Sequence, residues 1–264
     1  MNISLFLDHD TWLHRLDPRT KMAGALIVFL MVLCFNDPSF VAGLTAGILA
    51  VVFSTRTFPA LAKLRYILAL LFLFSVVLWP FFLKGPTTIW SWKFLSISRE
   101  SLLFGIAMGL RLSTFVITGL LFLATTRNED VTNGLIKMRF PYAAAFALST
   151  ALRLVPTFAG TGATVVQAQV SRGLDLESRN IFSRFGKLIP LATPMFISAI
   201  RYTNFLAMAL ESRGFTPDAS RTLYYEPVMR KKDWFVLTLL AALLCLSLYL
   251  RIGRGIGAVM PGRM

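Results

Sequence analysis

Apolar runs broken by short basic links set the pattern of this chain. Five runs stand out: Met22–Phe35, Phe40–Phe53, Tyr66–Leu83, Leu102–Ala124 and Trp234–Leu250. A helix needs about 20 apolar residues to cross the hydrocarbon core of a bilayer, so these runs predict five membrane spans. The first two hold only 14 residues each. They reach across by thinning the bilayer and extending Arg19, Lys21 and Arg56 toward its surfaces. Between them "NDPS", Asn36 to Ser39, is a tight turn, which joins the pair as a helical hairpin.

Two more segments have helical patterning but broken apolar faces. In 142–169 the breaks are Arg153, Pro156, Thr157, Thr161, Thr164, Gln167 and Gln169; in 188–211 they are Pro190, Pro194, Ser198, Arg201, Thr203 and Asn204. Such helices suit a partly buried, interfacial or cytoplasmic place against other protein better than a lipid-exposed span.

Composition sharpens the class. The chain is 56% hydrophobic with 15% charged residues and a mean hydropathy of +0.66, against about 25% charged in soluble domains. The expected fold is an all-α integral membrane protein with about five transmembrane helices and a large region of long helices outside the bilayer. A net charge of +14 raises nucleic acid as a partner. The basic residues, however, sit in links between apolar runs, the layout of membrane loops.

Their distribution orients the chain. With the N-terminus inside and five alternating spans, 20 of the 27 Lys and Arg residues fall in cytoplasmic segments, six fall outside and Arg111 lies within a span. Orientation follows the basic residues, so the N-terminus is expected in the cytoplasm and the C-terminus outside it. The organisation is then an N-terminal membrane region over 1–124, a cytoplasmic helical region over 125–233, and a last span with its tail over 234–264. The opening "MNISLFLDHD" lacks the basic start of a cleavable signal peptide.

Catalytic and metal chemistry finds little support. No G-x-x-x-x-G-K-[S/T], H-E-x-x-H, C-x-x-C or G-x-S-x-G pattern occurs; "FGKL" at Phe185 to Leu188 lacks the first glycine and the hydroxyl residue of a phosphate loop. Cys34 and Cys245 stand inside apolar runs without metal-ligand spacing. His9 between Asp8 and Asp10 has the donor types for a divalent cation, and equally those of a solvated polar segment. The expectation is a non-catalytic protein with neither cofactor nor metal.

Arg111 is the one ionisable residue within a span, in "GIAMGLRLSTF". An intramembrane arginine either marks a functional site or faces the bundle and binds carbonyls. Gly105 and Gly109 before it have the G-x-x-x-G spacing of close helix contact.

Four short motifs remain. "HRLDPRTK", His14 to Lys21, starts a helix: Asp17 can cap, Pro18 suits the first helical position, and the basic residues, Arg19 among them, lie at head-group level. "RLVP" pairs Arg153 with Pro156, whose ring removes a backbone hydrogen bond that the arginine one turn earlier can replace. "QAQVSRG" and "ALESRGF" place Ser171-Arg172-Gly173 and Ser212-Arg213-Gly214 at helix ends. Arginine in a last turn and glycine just beyond it form an ordinary helix stop. Two such stops on the same side of the membrane also offer two guanidinium groups suited to carboxylates on a partner.

In this order the four motifs resemble the transmembrane T component of energy-coupling-factor ABC importers, the cobalt, biotin and nickel importer type. The resemblance runs from about Trp12 to Phe215 and continues through the last span. It implies a bacterial inner-membrane subunit that joins two cytoplasmic ABC ATPases to a membrane S component, which captures a vitamin or transition-metal ion. It implies too that two long coupling helices dock on the ATPases through arginines matching Arg172 and Arg213; the family usually has alanine where this chain has Ser171 and Ser212. Other readings are a membrane scaffold or assembly protein, a self-contained secondary transporter, and an ordinary ABC permease with its own substrate path.

Overall fold

The computed structural model of the chain describes residues 11–83, 87–92, 95–175, 181–216 and 228–254. Eight α-helices carry most of them: α1 Pro18–Cys34, α2 Pro38–Ser54, α3 Phe58–Phe82, α4 Arg99–Thr125, α5 Asn128–Lys137, α6 Tyr142–Ser171, α7 Ile181–Ser212 and α8 Lys231–Leu248. A π-helical turn, Tyr249–Gly253, prolongs α8. The all-α expectation holds apart from one small feature. Between α3 and α4, β1 Thr88–Trp92 and β2 Leu95–Ser98 pair antiparallel, with Trp90 opposite Ile97 and Trp92 opposite Leu95.

Chain contacts divide the described residues into two units. One takes those in Ser4–Gly134 and Pro227–Met264, the other those in Leu135–Glu226.

In the first unit the helix starts follow from sequence. Asp17 accepts from the Arg19 N–H at 2.9 Å and Pro18 occupies the first helical position of α1. The device repeats at α2, where Asp37 accepts from the Ser39 N–H at 2.9 Å and Pro38 opens the helix. α4 opens with a reciprocal pair, Ser98 accepting from the Ser101 N–H and Ser101 from the Ser98 N–H. Each device satisfies backbone donors that a helix start leaves without partners.

α4 is the hub, packing on α1, α2 and α3. The G-x-x-x-G spacing does what it predicts: a Cβ on Gly109 would stand 2.8 Å from a ring carbon of Phe72, and one on Gly105 3.4 Å from the Ser75 carbonyl. The Ser75 hydroxyl donates to the Gly105 carbonyl at 3.2 Å. Thr45 and Thr114 join α2 to α4 at 2.8 Å. Apolar layers fill the rest, one around Val52, Leu61 and Leu120, another around Val32, Phe35 and Val41.

α3, α4, α6 and α8 with its π turn are long and apolar enough to cross a membrane. α6 departs from expectation. Its polar interruptions are spread over 30 residues, and enough Ala, Val and Leu lie between them to keep a spanning length apolar. α1 and α2 have 17 residues each, or about 25 Å at 1.5 Å per residue, less than the bilayer core of about 30 Å.

The second unit is built on α6 and α7, which run antiparallel. Phe146 meets Phe215, Phe158 meets Tyr202, and Gly162 admits Met195, whose methyl carbon would lie 3.3 Å from a Cβ there. α7 begins at Ile181 and ends at Ser212, so it starts earlier than the 188–211 segment that the patterning marks.

Candidate functional site

The two Ser-Arg-Gly strings close α6 and α7 in the same way. At the end of α6 the Gly173 N–H donates to the Val170 carbonyl at 2.9 Å and the Leu174 N–H to the Gln169 carbonyl at 3.0 Å. At the end of α7 the Gly214 N–H donates to the Glu211 carbonyl at 2.9 Å and the Phe215 N–H to the Leu210 carbonyl at 3.0 Å. This is the Schellman pattern, in which glycine takes a left-handed conformation so that the chain can fold back on the last turn. Gly173 has φ +89° and Gly214 φ +72°, where an L side chain costs about 1–2 kcal/mol.

The serines close the same turns from the side. Ser171 donates to the Gln167 carbonyl and Ser212 to the Ala209 carbonyl, both at 3.0 Å. The arginines project from these ends: Arg172 and Arg213 are exposed, and among the described residues neither has an ion-pair partner. Fixed backbone and exposed guanidinium together present a charge in a defined place.

The antiparallel course separates the two ends. Phe146 rests on Phe215, with ring centroids 4.9 Å apart, just past Arg213. From Phe146 to Arg172 the chain runs along α6, roughly 40 Å at 1.5 Å per residue. The arginines therefore stand at opposite ends of the helix pair.

Arg111 takes its structural role. It is 8% exposed, and its Nη2 donates to the Phe35 carbonyl at 2.6 Å and to Asn36 Oδ1 at 2.8 Å. It thereby holds the turn between α1 and α2 against α4. Arg153 does not do what its spacing suggests: it lies exposed on α6 beside Pro156 and, among the described residues, bonds no freed carbonyl.

The first motif holds more than sequence shows. Asp17 and Pro18 start α1 as expected, and Arg19 Nε lies 4.0 Å from Asp17 Oδ1. Lys21 turns away from the head-group level: it is 8% exposed, donating to the Thr125 carbonyl at 2.8 Å and the His14 carbonyl at 3.0 Å. Burial brings its pKa down to about 8, opposed by Asp130, Asp233 and Asp17.

Asp233, which no motif marks, completes the cluster. It is 1% exposed; its two oxygens accept from the Asp17 and Arg230 N–H groups, each at 2.8 Å. It thus caps α8 and ties that start to the start of α1. The only signal in sequence is an acid that follows two lysines and directly precedes the apolar run Trp234–Leu250.

No group of three or more His, Cys, Asp or Glu able to hold a metal occurs among the described residues. His9 with Asp8 and Asp10 lies outside them. Cys34 and Cys245 are free thiols in α1 and α8.

These helices define a multi-pass, all-α membrane protein. The family model described as CbiQ, cobalt transport protein, matches residues 9–224. An energy-coupling factor transporter transmembrane protein EcfT of Acidaminococcus fermentans is 32% identical over 250 residues, covering 91% of this chain and 93% of its own length. Proteins of the same name from Clostridium kluyveri and Macrococcus caseolyticus are each 29% identical, covering 97% and 96% of this chain and 98% and 97% of their own lengths. The chain belongs to this family, the transmembrane T components of energy-coupling-factor transporters.

Proposed function

We propose that this chain is the coupling subunit of an energy-coupling-factor importer, docking two cytoplasmic ATPases through Arg172 and Arg213 and passing their movement to a membrane S component. The observation that carries the reading is the pair of identically closed helix ends, each presenting an exposed arginine at an opposite end of the α6–α7 pair. A separation of roughly 40 Å along the pair suits two docking points on two ATPases better than two contacts with one groove. Each arginine would meet a carboxylate, where truncating one partner of a buried interfacial charge pair costs about 2–5 kcal/mol.

In this reading ATP hydrolysis belongs to the partners and substrate choice, a vitamin or a transition-metal ion, to the S component. The N-terminus and the 125–233 region face the cytoplasm of a bacterial cell and the C-terminus lies outside; α6, though apolar enough to cross a membrane, then lies along the cytoplasmic side with both helix ends toward the ATPases. Within α6 and α7, Pro156, Pro190 and Pro194 each remove a helical hydrogen bond, giving points at which the helices can bend when the ATPases close.

Purification of the tagged chain from native membranes tests this. A pair of ATPase polypeptides and one small membrane protein are expected to co-elute in fixed ratio. Recovery of the chain without any ATPase would overturn the proposal and favour a scaffold.

A further inference from the structure

Where α1 and α8 begin, two neighbouring depressions have no part in the coupling reading. The first is a cleft of about 650 Å³ walled by Arg15, Arg230, Lys231, Lys232 and Asp233. Among the described residues that wall it are four cations and one carboxylate, and both oxygens of that carboxylate already accept backbone N–H groups. Arg15, Arg230, Lys231 and Lys232 are all exposed. The second is a groove of about 270 Å³ among α1, α2, α4 and α8, lined by apolar side chains such as Val28, Ile48, Leu121, Phe122 and Leu239.

Trp12, Leu16 and Val236 line both, so cleft and groove share a wall. Trp12 marks the boundary. Its ring is 47% exposed while its Nε1 donates to Ser54 at 3.0 Å, the amphipathic placement of tryptophan at a membrane surface.

We propose that cleft and groove together bind one anionic phospholipid, with its phosphate among the four cations and an acyl chain in the groove. A free phosphate would use only the cleft and a neutral lipid mainly the groove; an acidic lipid uses both. Clustered lysines and arginines beside a span attract acidic lipids. Here the cluster lies beside a groove shaped for the tail. The site locks the adjoining starts of α1 and α8 together.

The test is native mass spectrometry of the full-length chain in detergent, titrated with phosphatidylglycerol or phosphatidylcholine, with sn-glycerol 3-phosphate as competitor. The parent is expected to retain one phosphatidylglycerol through delipidation and to lose phosphatidylcholine. An Arg230→Gln, Lys231→Gln, Lys232→Gln variant is expected to bind phosphatidylglycerol about a hundredfold more weakly at low ionic strength. Ala25 also lines the groove, and Ala25→Phe, which fills it, is expected to weaken the same lipid while leaving the charges in place.

Equal retention of the two lipids, or unchanged binding by the triple variant, overturns the proposal. Displacement by glycerol phosphate as effective as by a short-chain phosphatidylglycerol also overturns it, because the ligand is then a free phosphate. None of these results bears on docking by Arg172 and Arg213.

Discussion

Asp233→Ala removes the acceptor of two hydrogen bonds at once, one buried and one part-buried. Its carboxylate receives the Asp17 N–H and the Arg230 N–H at 2.8 Å in a site where Asp233 is 1% exposed. Hydrogen bonds to a charged group are worth about 1.5–3 kcal/mol. The change also removes one of the acids that favour the buried ammonium of Lys21. The expected loss is about 3–5 kcal/mol, which for a chain of this length is a fall in Tm of about 10 °C. Thermal unfolding of the detergent-purified chain reads this, with Lys63→Ala at an exposed position of α3 as the control. If Asp233→Ala unfolds at the same temperature as Lys63→Ala, the tie between α1 and α8 carries no stability and the reasoning fails.

Three further outcomes follow from the geometry. Gly109→Ala, whose Cβ would meet Phe72 at 2.8 Å, is expected to lower Tm, by about 1–3 kcal/mol of overpacking, while Gly105→Ala at 3.4 Å is expected to have little effect; parallel melting of the two checks the order. Lys21 has its pKa lowered to about 8 from 10.5, so the unfolded chain holds the proton more tightly. The cost of burying the charge persists below about pH 8 and is relieved toward pH 10.5, so the parent is expected to gain stability over that window relative to Lys21→Met. Gly173→Ala and Gly214→Ala leave both arginines in place but strain the left-handed turns at φ +89° and +72°; isothermal titration with the ATPases is expected to show several-fold weaker docking, from about 1–2 kcal/mol of strain per site.

Much of this architecture is legible because its determinants are local. Asp-Pro before α1 and again before α2 states where each helix begins, and the Gly105 and Gly109 spacing states which face of α4 meets a neighbour. The Ser-Arg-Gly strings announce both helix stops, since glycine and the residues around it form the whole motif. What sequence leaves hidden depends on distant partners. Asp233 lies 216 residues from Asp17, so nothing near either residue indicates their bond. Lys21 at a helix start reads as reaching for water, and only Thr125 and His14 turn it inward. The spanning character of α6 is obscured by Pro156 and its threonines, which hydrogen-bond back to their own helix, as Thr161 does to Thr157. The β1–β2 pair is hidden for another reason: two strands this short offer too few alternating positions to stand out between apolar runs.

Docking through Arg172 and Arg213 is tested most directly by a binding cycle: the parent, Arg172→Glu, Arg213→Glu and the double variant, each titrated with the purified ATPase pair in nanodiscs. Sites this far apart act independently. Each single reversal is therefore expected to weaken binding by at least about thirtyfold, the lower end of a broken interfacial charge pair, and the double variant to lose the sum of the two free energies. Equal affinity across all four proteins would contradict the account and reduce both arginines to ordinary residues of a helix end.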